Sequence, residues 1–253
     1  HEIETVFYPV PLKDALEIIV DTNDTGGHPV QLSSSGIPVE VQPHENICVK
    51  AYNLLKKDFP QLPSIKMHLH KLIPSGAGLG GGSSDGAFTL KMLSEKFYLG
   101  LSKEQLIFYA SQLGSDCSFF ILNKPCMATG RGEILEPVEL NLDNYKILLV
   151  YPGIHINTAM AYSQIIPSGK GDFLKNIISQ PVESWKENLF NDFEKSIFKN
   201  HPETGKVKEK LYESGALYAA LSGSGSSVFG IFKHEATISV SFPSHYYVKE
   251  LSG

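Results

Sequence analysis

The sequence predicts an α+β fold in two subdomains. Strand-like and helix-like segments are mixed along the chain, with helices following strand pairs, which argues against both an all-helical and an all-β protein. The length, 253 residues, fits one large domain or two modest ones. The polar stretch Asn141-Leu142-Asp143-Asn144 divides the pattern, so residues 1–142 and 143–253 are read as the two halves.

The elements follow in order. From His1 to Pro9, Ile3, Val6 and Tyr8 are interleaved with Glu2, Glu4 and Thr5, a strand pattern. Residues 15–20 (Ala-Leu-Glu-Ile-Ile-Val) read as a second strand. Asp24-Thr25-Gly26-Gly27 is turn chemistry, and Val30-Gln31-Leu32 is expected to return as its hairpin partner. Between Asn46 and Lys57, Ile47, Val49, Ala51, Leu54 and Leu55 fall near helical spacing. Ser64 to His70 sets Ile65, Met67 and Leu69 against Lys66, His68 and His70, a half-buried strand. A glycine-rich loop follows, then a helical pattern from Ser83 to Phe97. Ser102 with Gln105 is a capping-box signature for the next helix, which ends near Gly114. In the second half, Tyr145 to Tyr151 is the strongest strand, stopped by Pro152-Gly153. Helices are expected near 158–165, 185–199 and 203–214, and strands near 216–222, 228–232 and 246–249.

Composition narrows the function classes. Hydrophobic residues at 42% and charged residues at 19% are ordinary for a globular chain and exclude wholesale disorder. A net charge of −5 argues against nucleic acid as the main partner. No apolar run reaches the roughly 18 residues of a membrane span, so no membrane partner is expected. The N-terminus shows no basic and apolar leader pattern. Cys48, Cys117 and Cys126 form neither a disulfide framework nor a zinc motif, which suits a cytoplasmic location. His68 and His70 lack a third ligand nearby, so no metal site is assigned to them. Gly169-Lys170-Gly171 reads as solvated loop.

The functional signal lies in Pro74-Ser75-Gly76-Ala77-Gly78-Leu79-Gly80-Gly81-Gly82-Ser83-Ser84-Asp85-Gly86-Ala87. Six of the eleven residues from Gly76 to Gly86 are glycine, a run that helix and strand propensity both oppose. Glycine lets backbone approach a bulky ligand and lets successive N–H groups converge on an anion. Ser83-Ser84-Asp85 is expected to cap the following helix, whose N-terminus favours negative charge. Strand, glycine loop and helix N-terminus together make a phosphate cradle. A Walker A loop is excluded, because no lysine lies between Lys71 and Lys91. A dinucleotide-binding loop does not normally continue Gly-Ser-Ser, and the protein-kinase motifs are absent.

These residues resemble the central motif of the GHMP kinases, the family of galactokinase and of the homoserine, mevalonate and phosphomevalonate kinases. Three further stretches match in order: Gly114-Ser115-Asp116-Cys117-Ser118-Phe119-Phe120, Gly130-Arg131-Gly132-Glu133-Ile134-Leu135, and Leu221-Ser222-Gly223-Ser224-Gly225-Ser226-Ser227-Val228-Phe229. The triple glycine before Ser-Ser-Asp is most similar to the branch that phosphorylates a cytidine-diphosphate alcohol on the non-mevalonate isoprenoid route. The resemblance implies the two-subdomain fold of this family, with an N-terminal ATP-binding half like ribosomal protein S5 and a ferredoxin-like C-terminal substrate half. It also implies ATP as phosphoryl donor, with Mg²⁺, and a small-molecule substrate, in a monomer or weak homodimer.

Residue by residue, the resemblance implies that Pro74, Ser75, Gly76, Ala77, Gly78, Leu79, Gly80, Gly81, Gly82, Ser83 and Ser84 wrap the ATP phosphates. Ser83 or Ser84 would help place Mg²⁺. Asp116 matches the catalytic aspartate, which accepts or orients the proton of the attacking hydroxyl; by residue type alone it reads as a cap or turn aspartate. His1 matches a histidine that contacts the cytosine and Thr158 a substrate-side position; Gly223, Ser224 and Gly225, the second glycine motif, are expected on the substrate side, supporting the phosphate loop or closing the substrate cleft. Gly86 stands where alanine is usual, and Cys117-Ser118 where Val-Pro is common. The resemblance implies an upstream strand carrying Lys-x-Asn, whose lysine stabilises charge and pairs with the aspartate. The sequence as given begins beyond it and is expected to be a truncated record of the kinase. Left open are another kinase of this family, a non-catalytic nucleotide-binding protein of the same fold and, more distantly, a Rossmann oxidoreductase.

Overall fold

The computed structural model describes residues 2–23, 29–39, 41–165 and 174–253. Among them the strands form three sheets. In the first half, β2 (Ala15–Val20), β4 (Ile65–Lys71) and β3 (Val30–Gly36) form a sheet of order β2-β4-β3. Helices α1 (Ile47–Asp58) and α2 (Gly81–Lys96) cover it, and α3 (Lys103–Leu113) packs against both helices. Alternation explains why β4 is central: Ile65, Met67, Leu69 and Lys71 are all buried on its inner side. The expected 15–32 hairpin does not form, since β4 lies between the two strands, antiparallel to β2 and parallel to β3. The turn residues Asp24 to Gly27 lie outside the described residues. On the outer side of this sheet, Ser33 and Ser35 hydrogen-bond His68, and Ser35 also reaches His70.

Two helix starts behave differently. Asn46 caps α1 by accepting from Cys48 N at 2.9 Å, and Ser102 and Gln105 close the capping box of α3 reciprocally, worth about 1 kcal/mol. In α2 the expected serine cap is replaced. The helix begins earlier, at Gly81, after Gly80 takes a left-handed φ of 68° with no side-chain cap. Ser83, Ser84 and Asp85 therefore sit inside the helix, and Ser84 N donates to Gly80 O at 2.9 Å. Gly86 is a contact glycine, because a Cβ there would lie 2.7 Å from Ile47 Cγ1.

After α4 (Cys117–Leu122), β5 (Cys126–Thr129) and β6 (Ile134–Pro137) form a hairpin, and β1 (Thr5–Phe7) pairs with β5. The second half carries an antiparallel sheet of order β10-β7-β9-β8: β7 (Tyr145–Tyr151), β8 (Tyr218–Leu221), β9 (Val228–Lys233) and β10 (Tyr247–Ser252). One side packs on α5 (Thr158–Ser163), α8 (Glu194–Asn200) and α9 (Pro202–Glu213). The other packs on α6 (Leu174–Ile178), α7 (Trp185–Asn188), Val6, Tyr8 and Met127, so the β1-β5-β6 sheet lies between the halves. The helix expected over 185–199 is broken at 189–193. Asn191 leaves the helix to donate to Leu221 O and Gly223 O, at 2.9 and 2.8 Å. The short segments β5, β6 and α6 carry too little periodicity to be read from sequence. All three cysteines are buried free thiols. No described helix is long and apolar enough to cross a membrane.

Candidate active site

The glycine loop runs from β4 into α2 along a cleft of about 2500 Å³, far more than the ~300–1,000 Å³ of a pocket for one small molecule. Positive φ at Gly76, Gly78 and Gly80 curls the loop. At Gly78 the reason is contact as well as conformation: a Cβ there would lie 2.3 Å from Ser222 O and 2.8 Å from Gly225 O. The second glycine cluster thus rests directly on the first. Ser222 Oγ donates to Gly78 O at 2.8 Å, and Ser227 N donates to Ala77 O at 3.1 Å. With Gly80 as a capless start, the first amides of α2 have no carbonyl partner within the helix. Around Gly82 a Cβ would meet nothing within 4 Å. This is open, electropositive backbone suited to an anion.

Helix α4 abuts that helix start. A Cβ on Gly80 would lie 2.9 Å from Phe120 Cζ, and Ser83 lies near the Cys117 thiol. Burial pushes that thiol up to about 11, Ser83 lowering it and Asp116 raising it. Asp116, one residue before α4, lines the same cleft. It does not cap the helix; its carboxylate receives Ser115 Oγ at 3.4 Å. The turn after β5 closes on it, a Cβ on Gly132 falling 3.6 Å from Asp116 Oδ1. Removal from water raises the Asp116 pKa above the ordinary carboxylate value, and the Ser115 hydroxyl partly offsets this. Tyr162 of α5 faces the same cleft, its hydroxyl pKa raised by burial and then by the Asp116 charge.

The substrate-side candidates also converge. Thr158 Oγ1 and Ser224 Oγ are 3.3 Å apart, and Gly223, Ser224 and Gly225 line the cleft beside Gly78. Thr158 is the first residue of α5, which Asn157 caps. His1 lies outside the described residues.

Sequence reasoning missed four groups here: Asp14, Lys71, Asp85 and His155. Lys71 is only 2% exposed and is bonded to Asp14 and, at 2.7 Å, to Asp85 Oδ2. The signal was available for Lys71: it stands in phase with buried Ile65, Met67 and Leu69. Burial is the largest influence on Lys71 and acts to lower its pKa, but the two carboxylates outweigh it and hold the ammonium protonated. Burial pushes Asp85 up to about 6, against the pull of Lys71. His155 was also missed; it lies where a Cβ on Gly76 would be, 2.3 Å from Nδ1. Among the described residues no group of three or more His, Cys, Asp or Glu side chains could hold a metal ion.

Comparison with known proteins shows the family. Residues 46–124 match the GHMP kinases N terminal domain and residues 173–246 the GHMP kinases C terminal domain. The chain is 52% identical over 238 residues to a 4-diphosphocytidyl-2-C-methyl-D-erythritol kinase of Bacteroides fragilis, covering 94% of this chain and 86% of the relative. It is 50% identical to the enzyme of the same name from Bacteroides thetaiotaomicron, with the same coverage. A crystal structure of 4-(cytidine 5'-diphospho)-2C-methyl-D-erythritol kinase superposes with a TM-score of 0.78 at 27% identity, over 100% of this chain and 91% of that one. The chain belongs to the GHMP kinase family.

Proposed function

We propose that this kinase transfers the γ-phosphate of ATP to the 2-hydroxyl of 4-diphosphocytidyl-2-C-methyl-D-erythritol, a step in the non-mevalonate route to isoprenoid precursors. The observation that carries the reading is one cleft lined by the α2 N-terminal turn, Asp116 and the second glycine cluster, in a chain half identical to kinases named for that alcohol.

The residues have distinct roles. The amides of Gly81, Gly82 and Ser83, with the α2 dipole, bind the phosphates and offset charge as transfer proceeds. Loop residues 74–80 shape the cradle. Asp116 receives or orients the proton of the attacking hydroxyl, so that its oxygen points at the γ-phosphorus. The new O–P bond forms as the β,γ-bridging bond breaks, and ADP leaves. Phosphoryl transfer asks mainly for positioning and charge stabilisation. Thr158, Ser224 and the glycines beside them contact the alcohol. Ser83 and Ser84 are hard oxygen donors at the phosphate end, the type that holds Mg²⁺ jointly with phosphate. When bound, Mg²⁺ neutralises phosphate charge.

Protein expressed from the full gene is tested for ADP release with this alcohol, homoserine and mevalonate. ADP release that depends on the cytidine-diphosphate alcohol supports the reading. Release with another alcohol alone moves the protein to another branch. ATP binding without release from any alcohol contradicts catalysis.

A further inference from the structure

We propose that Asp14, Lys71 and Asp85 are positioning residues for phosphoryl transfer, joining the two ends of the phosphate loop through one buried ammonium. The inference rests on the reading of that loop as the ATP site and goes beyond it, since none of the three lies in the glycine motif's backbone cradle.

The two ends of the loop are tied differently. At the start, Asp14 Oδ1 accepts from Leu72 N at 2.6 Å and from Ile73 N at 2.9 Å. These are the two residues before Pro74. At the far end, Asp85 sits in α2, next to Ser84. Lys71 Nζ bonds the other oxygen of Asp14 and, at 2.7 Å, Asp85 Oδ2. One cation therefore bridges the aspartate that holds the loop's start and the aspartate on the helix at its end. The bridge lies close beneath the cradle, where a Cβ on Gly81 would be 3.6 Å from Lys71 Nζ.

The chemistry argues against a merely filled space. The three side chains are 3%, 5% and 7% exposed, and burying such charges is costly compared with apolar residues of similar volume. What the ions provide is direction: two carboxylates and an ammonium fix distances that packing alone leaves soft. Ile73, which Asp14 holds, is itself buried, and a Cβ on Gly81 would come 2.8 Å from Ile73 Cγ2. A shift at either end therefore moves the first turn of α2 and its amides.

The test uses Asp85→Asn, Asp14→Asn and Lys71→Met in protein from the full gene. Affinity for a non-hydrolysable ATP analogue, both KM values, kcat and thermal midpoint are measured. The expected result is a rise of about tenfold in the analogue Kd and in KM for ATP. KM for the alcohol is expected to change less than about twofold. Asp85→Asn, of nearly identical shape, keeps the measurement interpretable if Lys71→Met does not fold. Variants with a lowered midpoint but wild-type ATP affinity and both KM values unchanged would overturn the proposal and leave the triad purely structural. If wild-type protein itself fails to bind the analogue, the ATP-site reading fails instead.

Discussion

Asp85 and Asp116 are the same residue type near the starts of two helices in mutual contact, and burial raises both their pKa values. Their surroundings separate them. Asp85 is only 7% exposed and is bonded to Lys71. Asp116 opens on the cleft with the Ser115 hydroxyl at 3.4 Å and makes no helix cap. The difference teaches that a raised carboxylate alone does not identify a base. A base also needs an open face toward the reacting group; Asp85 lines the cleft too but is buried and held by Lys71, whereas Asp116 is exposed there.

The comparison breaks most visibly at Asp116. Asp116→Ala is expected to lower kcat by about 10²–10⁴-fold, the usual contribution of a positioned acid–base group. Because Asp116 bears no capping bond, its thermal midpoint should stay close to wild type. A large fall in midpoint with little change in kcat would reverse the two assignments.

Next comes the contact between the two glycine clusters. Gly78→Ala forces a Cβ against Ser222 O and Gly225 O at a φ of +76°. The expected cost is about 1–3 kcal/mol of stability, read as a fall of several degrees in midpoint. The same change at exposed Gly82, where a Cβ meets nothing, should leave the midpoint within about 1 kcal/mol of wild type.

The pH dependence sharpens the contrast further. Asp85 is held up to about 6 in the folded protein, so folding favours its protonated form. Its stabilising contribution is complete below the ordinary carboxylate pKa and is lost as pH rises through about 6. Asp85→Asn lacks that loss. Urea midpoints should show the variant gaining on wild type by on the order of 2–3 kcal/mol between about pH 4 and 7. For Asp116 the sign acts on activity: the proposed mechanism uses the carboxylate, so the acid limb of kcat should lie above the ordinary carboxylate range and vanish in Asp116→Asn. The smallest effect is expected at Thr158→Val, a rise of about two- to fivefold in KM for the alcohol with KM for ATP unchanged.

Much of this was legible because the informative residues are local. The glycine run, the Ser102–Gln105 capping box and the alternation of Ile65, Met67 and Leu69 each act within a few positions, and each has its structural counterpart. The start of α2 was misread because glycine at φ +68° opened the helix before the serines, freeing Asp85 to turn inward. Long-range bonds left no periodic trace. Asp14 meets Lys71 across 57 positions, and Asn191 breaks a helix to reach the backbone of Leu221 and Gly223. Lys71 alone left a clue, a charged side chain on the inward phase of a strand.

The most direct test sets Asp116→Asn and Asp85→Asn side by side, measuring ATP-analogue affinity and alcohol-dependent ADP release in each. The expected result is crossed. Asp116→Asn binds the analogue like wild type and scarcely turns over; Asp85→Asn binds it about tenfold more weakly, with kcat at saturating ATP falling less than KM rises. Loss of binding in Asp116→Asn with retained turnover, or near wild-type turnover in both, would contradict the assignment of chemistry to Asp116 and positioning to Asp85.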